Sequence, residues 1–371
     1  MTRHTGQSGA TDALTPPSTG WGSASGGATH APETLTRSPV LLRVDGLSKR
    51  FPVRLGLCSK ASVSAVDNVS LTVEAGTTLG IVGESGCGKS TTARLVLGLI
   101  EPDAGTVTFE GVDVQTLTGP RRKALRRNMQ MVFQDPYSAL NPRMSIGESI
   151  AFPLRVHGYA KSEQRERTKV LLAQVGLHQH HASYYPHQMS GGQLQRVNIA
   201  RALALTPRLV IADEAVSALD KSVQAQVLNL LTDLQEQLQL TYIFISHDLN
   251  VVQYVSDHVL VMYLGQVVEH CTPEALYADP LHPYTKVLLA SIPDVNPDQP
   301  PAALLEGEIP SPLSPPSGCR FRTRCAEAMP VCAAERPPMS QERPGHFVAC
   351  HLYGPSAPAG TSEGCIPITK H

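Results

Sequence analysis

The sequence predicts an α/β fold carrying a small Cys-rich C-terminal extension, and three features predict it. An apolar run, Leu79-Gly80-Ile81-Val82, leads into Gly83-Glu84-Ser85-Gly86-Cys87-Gly88-Lys89-Ser90-Thr91 and then into Thr92-Ala93-Arg94-Leu95 as the start of a helix. That is the strand–loop–helix order in which the pattern G-x-x-x-x-G-K-S/T has physical content. Further short apolar runs end in polar side chains at Gln134, at Asp213-Glu214 and at His247, as strands of an open α/β sheet do at its ligand-binding edge. Cys319, Cys325, Cys332 and Cys350 cluster in a Pro-rich segment after residue 290.

Glycines in such a loop let successive backbone N–H groups turn toward phosphate oxygens. The helix beginning beside Lys89 adds the positive end of its dipole. Lys89 is placed to reach the β- and γ-phosphates, and the Ser90 hydroxyl to hold Mg²⁺. The loop therefore binds a nucleoside triphosphate. At 371 residues the chain suits one large core plus an appendage. A hydrophobic content of 42% with 17% charged residues describes a globular protein, and a net charge of −1 gives no sign of a nucleic-acid partner. No apolar run approaches the ~20 residues of a membrane span, and the N-terminus has no secretory apolar region. Any link to a membrane is thus expected to run through other chains. In a reducing compartment, clustered thiols bind metal more often than they pair as disulfides.

Residues 1–38 are rich in Gly, Ser, Thr, Ala and Pro without an apolar period, which predicts a disordered extension. Val40-Leu41-Leu42-Arg43-Val44 opens the ordered part as a strand. A stretch through Phe51 follows, then a polar loop around Cys58, and Ala65 to Val73 alternates as a further strand ahead of the Ala75-Gly76 turn. Phe51 suits either stacking on a purine base or an ordinary core position. The helix after the phosphate loop is expected to run on to Ile100, where Pro102 and Gly105 stop it. Thr106 to Phe109 and Val112 read as a hairpin. Arg121, Arg122, Lys123, Arg126 and Arg127 form a basic helix face that reads as solvated surface.

Met129 to Phe133 is a short strand ending in Gln134, a side chain able to reach a metal or an attacking water from a movable loop. Residues 145–188 look helical, and the histidines at 178, 180, 181 and 187 read as a solvated turn rather than a metal site. In Met189-Ser190-Gly191-Gly192-Gln193, Ser190 is a good N-cap, and the two glycines leave N–H groups exposed for an anion. Leu209 to Ala212 is a buried strand whose terminal Asp213 can orient Mg²⁺ while Glu214 takes a proton from water. Ser217 to Asp220 opens another helix. Tyr242 to Ser246 is a strand followed by His247 at the same sheet edge, and a last hairpin turns around Gly265.

The order of phosphate loop, Gln134, Ser190-Gly191-Gly192-Gln193, Asp213-Glu214, Asp220 and His247 resembles the ATP-binding cassette (ABC) ATPases over residues 40–290. Gln134-Asp135-Pro136-Tyr137 with its neighbours, and His282-Pro283-Tyr284-Thr285, look like ATPase subunits of bacterial dipeptide and oligopeptide importers, of the F type. The resemblance implies a P-loop NTPase cassette, with a RecA-like core sheet and a helical signature subdomain. It implies ATP and Mg²⁺, held by the loop residues with Lys89, Ser90 and Thr91. Gln134 contacts Mg²⁺ and water, Asp213 orients Mg²⁺, Glu214 is the general base, and His247 positions γ-phosphate and water. Phe51 takes the adenine-stacking role. Ser190, Gly191, Gly192 and Gln193 serve the ATP of a second ABC ATPase subunit packed head to tail. Two transmembrane permease subunits and, indirectly, an extracytoplasmic peptide-binding protein complete the set, with the chain peripheral on the cytoplasmic face of the inner membrane and no nucleic acid involved. Met189, Ala215 and Lys221 depart from the family pattern without removing a chemical group.

The family resemblance divides the chain into an ABC ATPase domain at 39–290, with its helical subdomain at 136–200, a Cys-rich domain at 291–352 and a flexible tail at 353–371. The spacing C-x5-C-x6-C-x17-C does not favour zinc. It leaves free thiols in a packed module or, as the resemblance implies, ligation of a [4Fe–4S] cluster by Cys319, Cys325, Cys332 and Cys350. A nickel or other solute importer of the same subfamily remains an alternative, and less so a soluble ABC ATPase acting on nucleic acid or ribosomes.

Overall fold

The computed structural model describes residues 40–54, 60–292 and 310–353. The disordered extension expected at 1–38, the loop around Cys58 and the tail beyond 353 lie outside the described residues.

Two sheets form the molecule. The first is an antiparallel four-stranded sheet containing β1 (Val40–Arg54), β2 (Lys60–Glu74), β4 (Ala104–Phe109) and β5 (Val112–Asp113), in the order β2-β1-β4-β5. β1 is a single long strand, and its register against β2 slips at several points between Val40 and Arg50. Such irregularities explain why the sequence pattern breaks into two apolar pieces.

The second sheet begins with β3 (Thr78–Val82), followed by α1 (Lys89–Val96), which stops short of the expected Ile100. After α2 (Gly119–Asn128), a basic helix with no buried residue as its charge predicted, comes β6 (Met129–Val132). The helical region then holds α3 (Ile146–Val156), α4 (Lys161–Gln174), two short 3₁₀ turns and α5 (Gly191–Leu203). β7 (Leu209–Asp213), α6 (Lys221–Leu238), β8 (Thr241–Ile245), α7 (Leu249–Val255), β9 (His258–Tyr263) and β10 (Gln266–Cys271) complete the expected core. β6, β7, β8, β3 and β9 lie side by side and parallel, with β10 antiparallel to β9.

Period-two alternation divides the core between the two faces of this sheet. On β7, Leu209 and Ile211 join the apolar cluster shared with α1 and the four-stranded sheet, while Val210 and Ala212 join the cluster shared with α5 and α6. α7 packs so closely on β3 that a Cβ at Gly80 would lie 2.4 Å from Val252 Cγ1.

The hairpin around Gly265 is not the last one. Beyond α8 (Pro273–Ala278), α9 (Pro283–Ala290) and α10 (Val331–Ala334), β11 (Ser340–Arg343) and β12 (His346–Val348) extend the same sheet to the order β11-β12-β10-β9-β3-β8-β7-β6. β12 pairs with β10 through Glu269 with Val348 and His270 with Phe347. β12 is thus part of the same sheet as β10. Phe321 is buried in the apolar cluster that also holds Tyr263 and Tyr284.

Candidate active site

The carboxyl ends of β3, β6, β7 and β8 place the expected side chains at one edge. After β3 the chain turns through glycines with positive φ at Gly83, Gly86 and Gly88. At Gly88 only glycine fits, because a Cβ there would meet the Ala65 carbonyl oxygen at 2.2 Å. Lys89, first residue of α1 and buried, curls back so that Nζ donates to the carbonyls of Gly83 (2.7 Å) and Glu84 (3.0 Å). The ammonium thus sits over the loop, with its N–H groups engaged by the loop's own oxygens.

Ser90 Oγ donates to Asp213 Oδ1 at 2.8 Å, joining the start of α1 to the end of β7. Burial pushes the Asp213 carboxyl up, against the Ser90 hydrogen bond that favours its charged form. A hydroxyl and a strand-end carboxylate in contact form a hard oxygen pair suited to Mg²⁺. Beside them, Gln134 Nε2 donates to Glu214 Oε2 (2.7 Å), and His247 Nδ1 lies 3.5 Å from Glu214 Oε1. Glu214 stands between a strand-end amide and an imidazole from β6 and β8. Its φ of 47° is in the left-handed region, where a side chain costs energy and an outlier points toward function. A cavity of about 250 Å³ joins Ser85, Gly86, Lys89, Ser90, Gln134 and Glu214.

Not every expected residue enters this cavity. Phe51 is half-buried beside Lys49, whose Nζ lies 5.8 Å from its ring centroid, and it is Val63, its cross-strand partner, that lines the cavity. Ser190, Gly191, Gly192 and Gln193 lie apart from it at the start of α5. There Ser190 Oγ accepts from the Gln193 N–H and Gln193 Oε1 accepts from the Ser190 N–H, a reciprocal capping box.

A family model described as ABC transporter matches residues 66–217, and one described as oligopeptide/dipeptide transporter, C-terminal region, matches 268–332. The oligopeptide transport ATP-binding protein AppF of Bacillus subtilis is 49% identical over 330 residues, 86% of this chain and 99% of that protein. The chain belongs to the ABC transporter ATP-binding proteins. Among solved structures of the family, cbiO1 of Clostridium perfringens, described as part of the ABC transporter complex cbiONQ, is similar with a TM-score of 0.58. It shares 27% identity over 65% of this chain and 92% of its own. The cassette MJ0796, in a dimeric post-hydrolysis state bound to ADP and Pi, is similar with a TM-score of 0.57. There the identity is 28%, over 63% of this chain and 99% of that one.

This ABC ATPase contains elements at its phosphate loop that the sequence pattern did not reveal. The Glu84 N–H donates to Tyr284 Oη at 2.9 Å, and the Glu84 carboxylate meets Arg324. Pro312, also beyond the cassette core, lines the cavity. A trace of this was present in Cys319-Arg320-Phe321-Arg322-Thr323-Arg324-Cys325, where three arginines crowd between two cysteines. Of the departures from the family pattern, Met189 and Ala215 are buried in the core, and Lys221 Nζ pairs with Asp248 Oδ2 at 2.8 Å.

The four clustered cysteines carry free thiols. The Cys319 N–H donates to the Cys332 carbonyl at 2.8 Å, tying two of the strands of chain together. Burial pushes the Cys350 thiol up to about 11, with the charges of Cys319, Cys325 and Cys332 adding to the rise. Cys332 is buried and Cys319, Cys325 and Cys350 are half-buried, so the segment carries four sulfur donors shielded in part from solvent.

Proposed function

We propose that this chain is the ATP-hydrolysing subunit of a dipeptide/oligopeptide importer, held on the cytoplasmic face of a bacterial inner membrane by two permease subunits. The observation that carries this reading is similarity continuing through the C-terminal region, 99% of the length of an oligopeptide transport ATP-binding protein being matched. Among the described residues no helix is long and apolar enough to cross a membrane. A second, related cassette and an extracytoplasmic peptide-binding protein are proposed to complete the assembly.

In the proposed mechanism, the loop N–H groups with Lys89, Ser90 and Thr91 hold the ATP phosphates, and Phe51 stacks on adenine. Ser90, Asp213 and Gln134 would hold Mg²⁺, whose contribution is to neutralise phosphate charge. Glu214 takes the proton of the attacking water while Gln134 and His247 orient it. Support comes from the continuous contact Gln134–Glu214–His247 beside the Ser90–Asp213 pair. Ser190, Gly191, Gly192 and Gln193 serve the ATP of the second cassette. Catalysis is then mainly positioning and charge neutralisation, completed when two cassettes close.

Cys319, Cys325, Cys332 and Cys350 are proposed to ligate a [4Fe–4S] cluster, which would cross-link a segment poor in apolar core. Anaerobically purified protein should then contain iron and sulfide at roughly four of each per chain; iron-free protein from that preparation would refute the assignment. The importer reading is tested by affinity capture from detergent-solubilised membranes. Recovery of hydrophobic permease subunits supports it, whereas recovery of ribosomes or DNA instead would overturn it.

A further inference from the structure

Every polar group of Glu84, the first residue after Gly83 in the phosphate loop, is engaged. Its N–H donates to Tyr284 Oη at 2.9 Å, and its carbonyl accepts from Lys89 Nζ at 3.0 Å. Its two carboxylate oxygens are gripped by both arms of the Arg324 guanidinium, at 2.9 and 3.0 Å. Such a fork-to-fork pair fixes direction as well as distance. The Arg324 side chain is only 4% exposed and that of Glu84 17%, so this is a nearly buried ion pair rather than a solvated one.

The segment supplying Arg324 is itself clamped to the cassette. Arg320 pairs with Asp67 Oδ2 at 2.6 Å and donates to the Leu264 carbonyl. Phe321 packs edge-on to Tyr263 and Tyr284, with ring centroids 5.3 and 5.4 Å away. Cys319 and Cys325 bound this segment, and Arg324 is bonded directly to Cys325.

We propose that Arg324 is a positioning residue of the ATP site, through which the thiol-bearing segment 319–325 sets the geometry and charge of the phosphate loop. Two physical effects follow from one contact. The fork fixes the loop before nucleotide arrives, so less ordering remains to be done on binding. It also neutralises a carboxylate that would otherwise stand beside a polyanionic triphosphate in a region of low dielectric. Whatever fixes or displaces Cys325 is transmitted to Glu84 through one side chain. This rests on nucleotide occupying the loop at 83–91.

The test is equilibrium binding of a non-hydrolysable ATP analogue, with Mg²⁺, to the full chain and its variants. Lys89→Ala reports on the loop as the nucleotide site independently of the clamp. Arg324→Met should weaken binding about tenfold or more, the scale set by leaving one member of a nearly buried pair alone. In the assembled complex KM for ATP should rise more than kcat falls. Arg324→Met/Glu84→Gln, which removes the stranded carboxylate, should recover most of the affinity. Binding by Arg324→Met within about twofold of wild type, or a double variant as weak as the single one, would overturn the proposal. Arg324→Lys keeps the charge but loses the fork, and covers the case in which Arg324→Met does not fold. Its amide hydrogen exchange should quicken at residues 84–88 and stay unchanged in β7 and β8. Unaltered exchange at 84–88 would equally overturn it.

Discussion

The phosphate loop at residues 83–91 is hydrogen-bonded by groups from distant parts of the chain, whereas the capping bonds of the signature at 190–193 are local. Lys89 binds the loop's carbonyls, Tyr284 and Arg324 arrive from 200 and 240 residues away, and Ser90 reaches across to Asp213. The signature's hydrogen bonds close within its own first turn, Ser190 and Gln193 capping each other, while Gly192 packs against Val223 of α6 so closely that a Cβ there would lie 2.4 Å from Val223 Cγ1. The loop is therefore a product of the whole fold and loses its shape when long-range contacts fail. The signature is capped locally at a helix start, with Ser190 exposed and Gly191, Gly192 and Gln193 half-buried.

The largest effect should come at the loop's catalytic edge. Glu214→Gln should slow ATP hydrolysis by the assembled complex on the order of 10²–10⁴-fold, the usual weight of a general base, while nucleotide binding persists. Phosphate release measured beside equilibrium binding checks this, and unchanged turnover would remove Glu214 from that role. Lys89→Ala should weaken Mg·ATP binding by about 10- to 100-fold, as expected for charge-assisted hydrogen bonds, and calorimetric titration reads it directly.

A smaller effect concerns the long-range side of the comparison. Burial pushes the Glu269 carboxyl up, but His346 Nε2 and the N–H groups of Leu281 and His282 hold it on balance below the usual carboxylate range. A folded-state value below the unfolded one means stability present above the unfolded carboxylate range and lost as pH falls through the folded value. Acid should thus loosen the β10–β12 junction, by about 1–3 kcal/mol, and Glu269→Gln should flatten that pH dependence in thermal unfolding. At the signature, Ser190→Ala should cost about 1 kcal/mol of helix stability. Its hydrolysis defect should be visible only in the two-cassette assembly. A defect of equal size in the isolated chain would mean that the signature serves its own ATP.

What could be read from sequence follows the same division. The loop, the strand-end residues Gln134, Asp213, Glu214 and His247, and the Ser190 cap are written in consecutive residues, so periodicity and motif chemistry expose them. The Glu84–Arg324 pair joins positions whose separation in sequence carries no local signal. β11 and β12 escaped for another reason. Ser-Gln-Glu-Arg is too polar and His-Phe-Val too short to alternate convincingly, and only the pairing of β12 with β10, and of β11 with β12, makes them strands. α1 ends before Ile100 because Gly98 turns left-handed (φ 60°), its N–H bonding the Leu95 carbonyl and that of Leu99 the Arg94 carbonyl, a Schellman stop ahead of Pro102.

The β12–β10 pairing has a consequence for anyone shortening this protein. With residues 340–348 in place, every residue of β10 is buried, and the sheet ends instead at β11, four residues long with alternate side chains turned to solvent and bearing Glu342 and Arg343. Cut the chain at residue 290 and the buried β10 becomes an open edge with a row of unpaired amides and carbonyls. Such an edge recruits strands from neighbouring molecules. The product would be a protein prone to aggregate rather than a smaller, well-behaved ATPase.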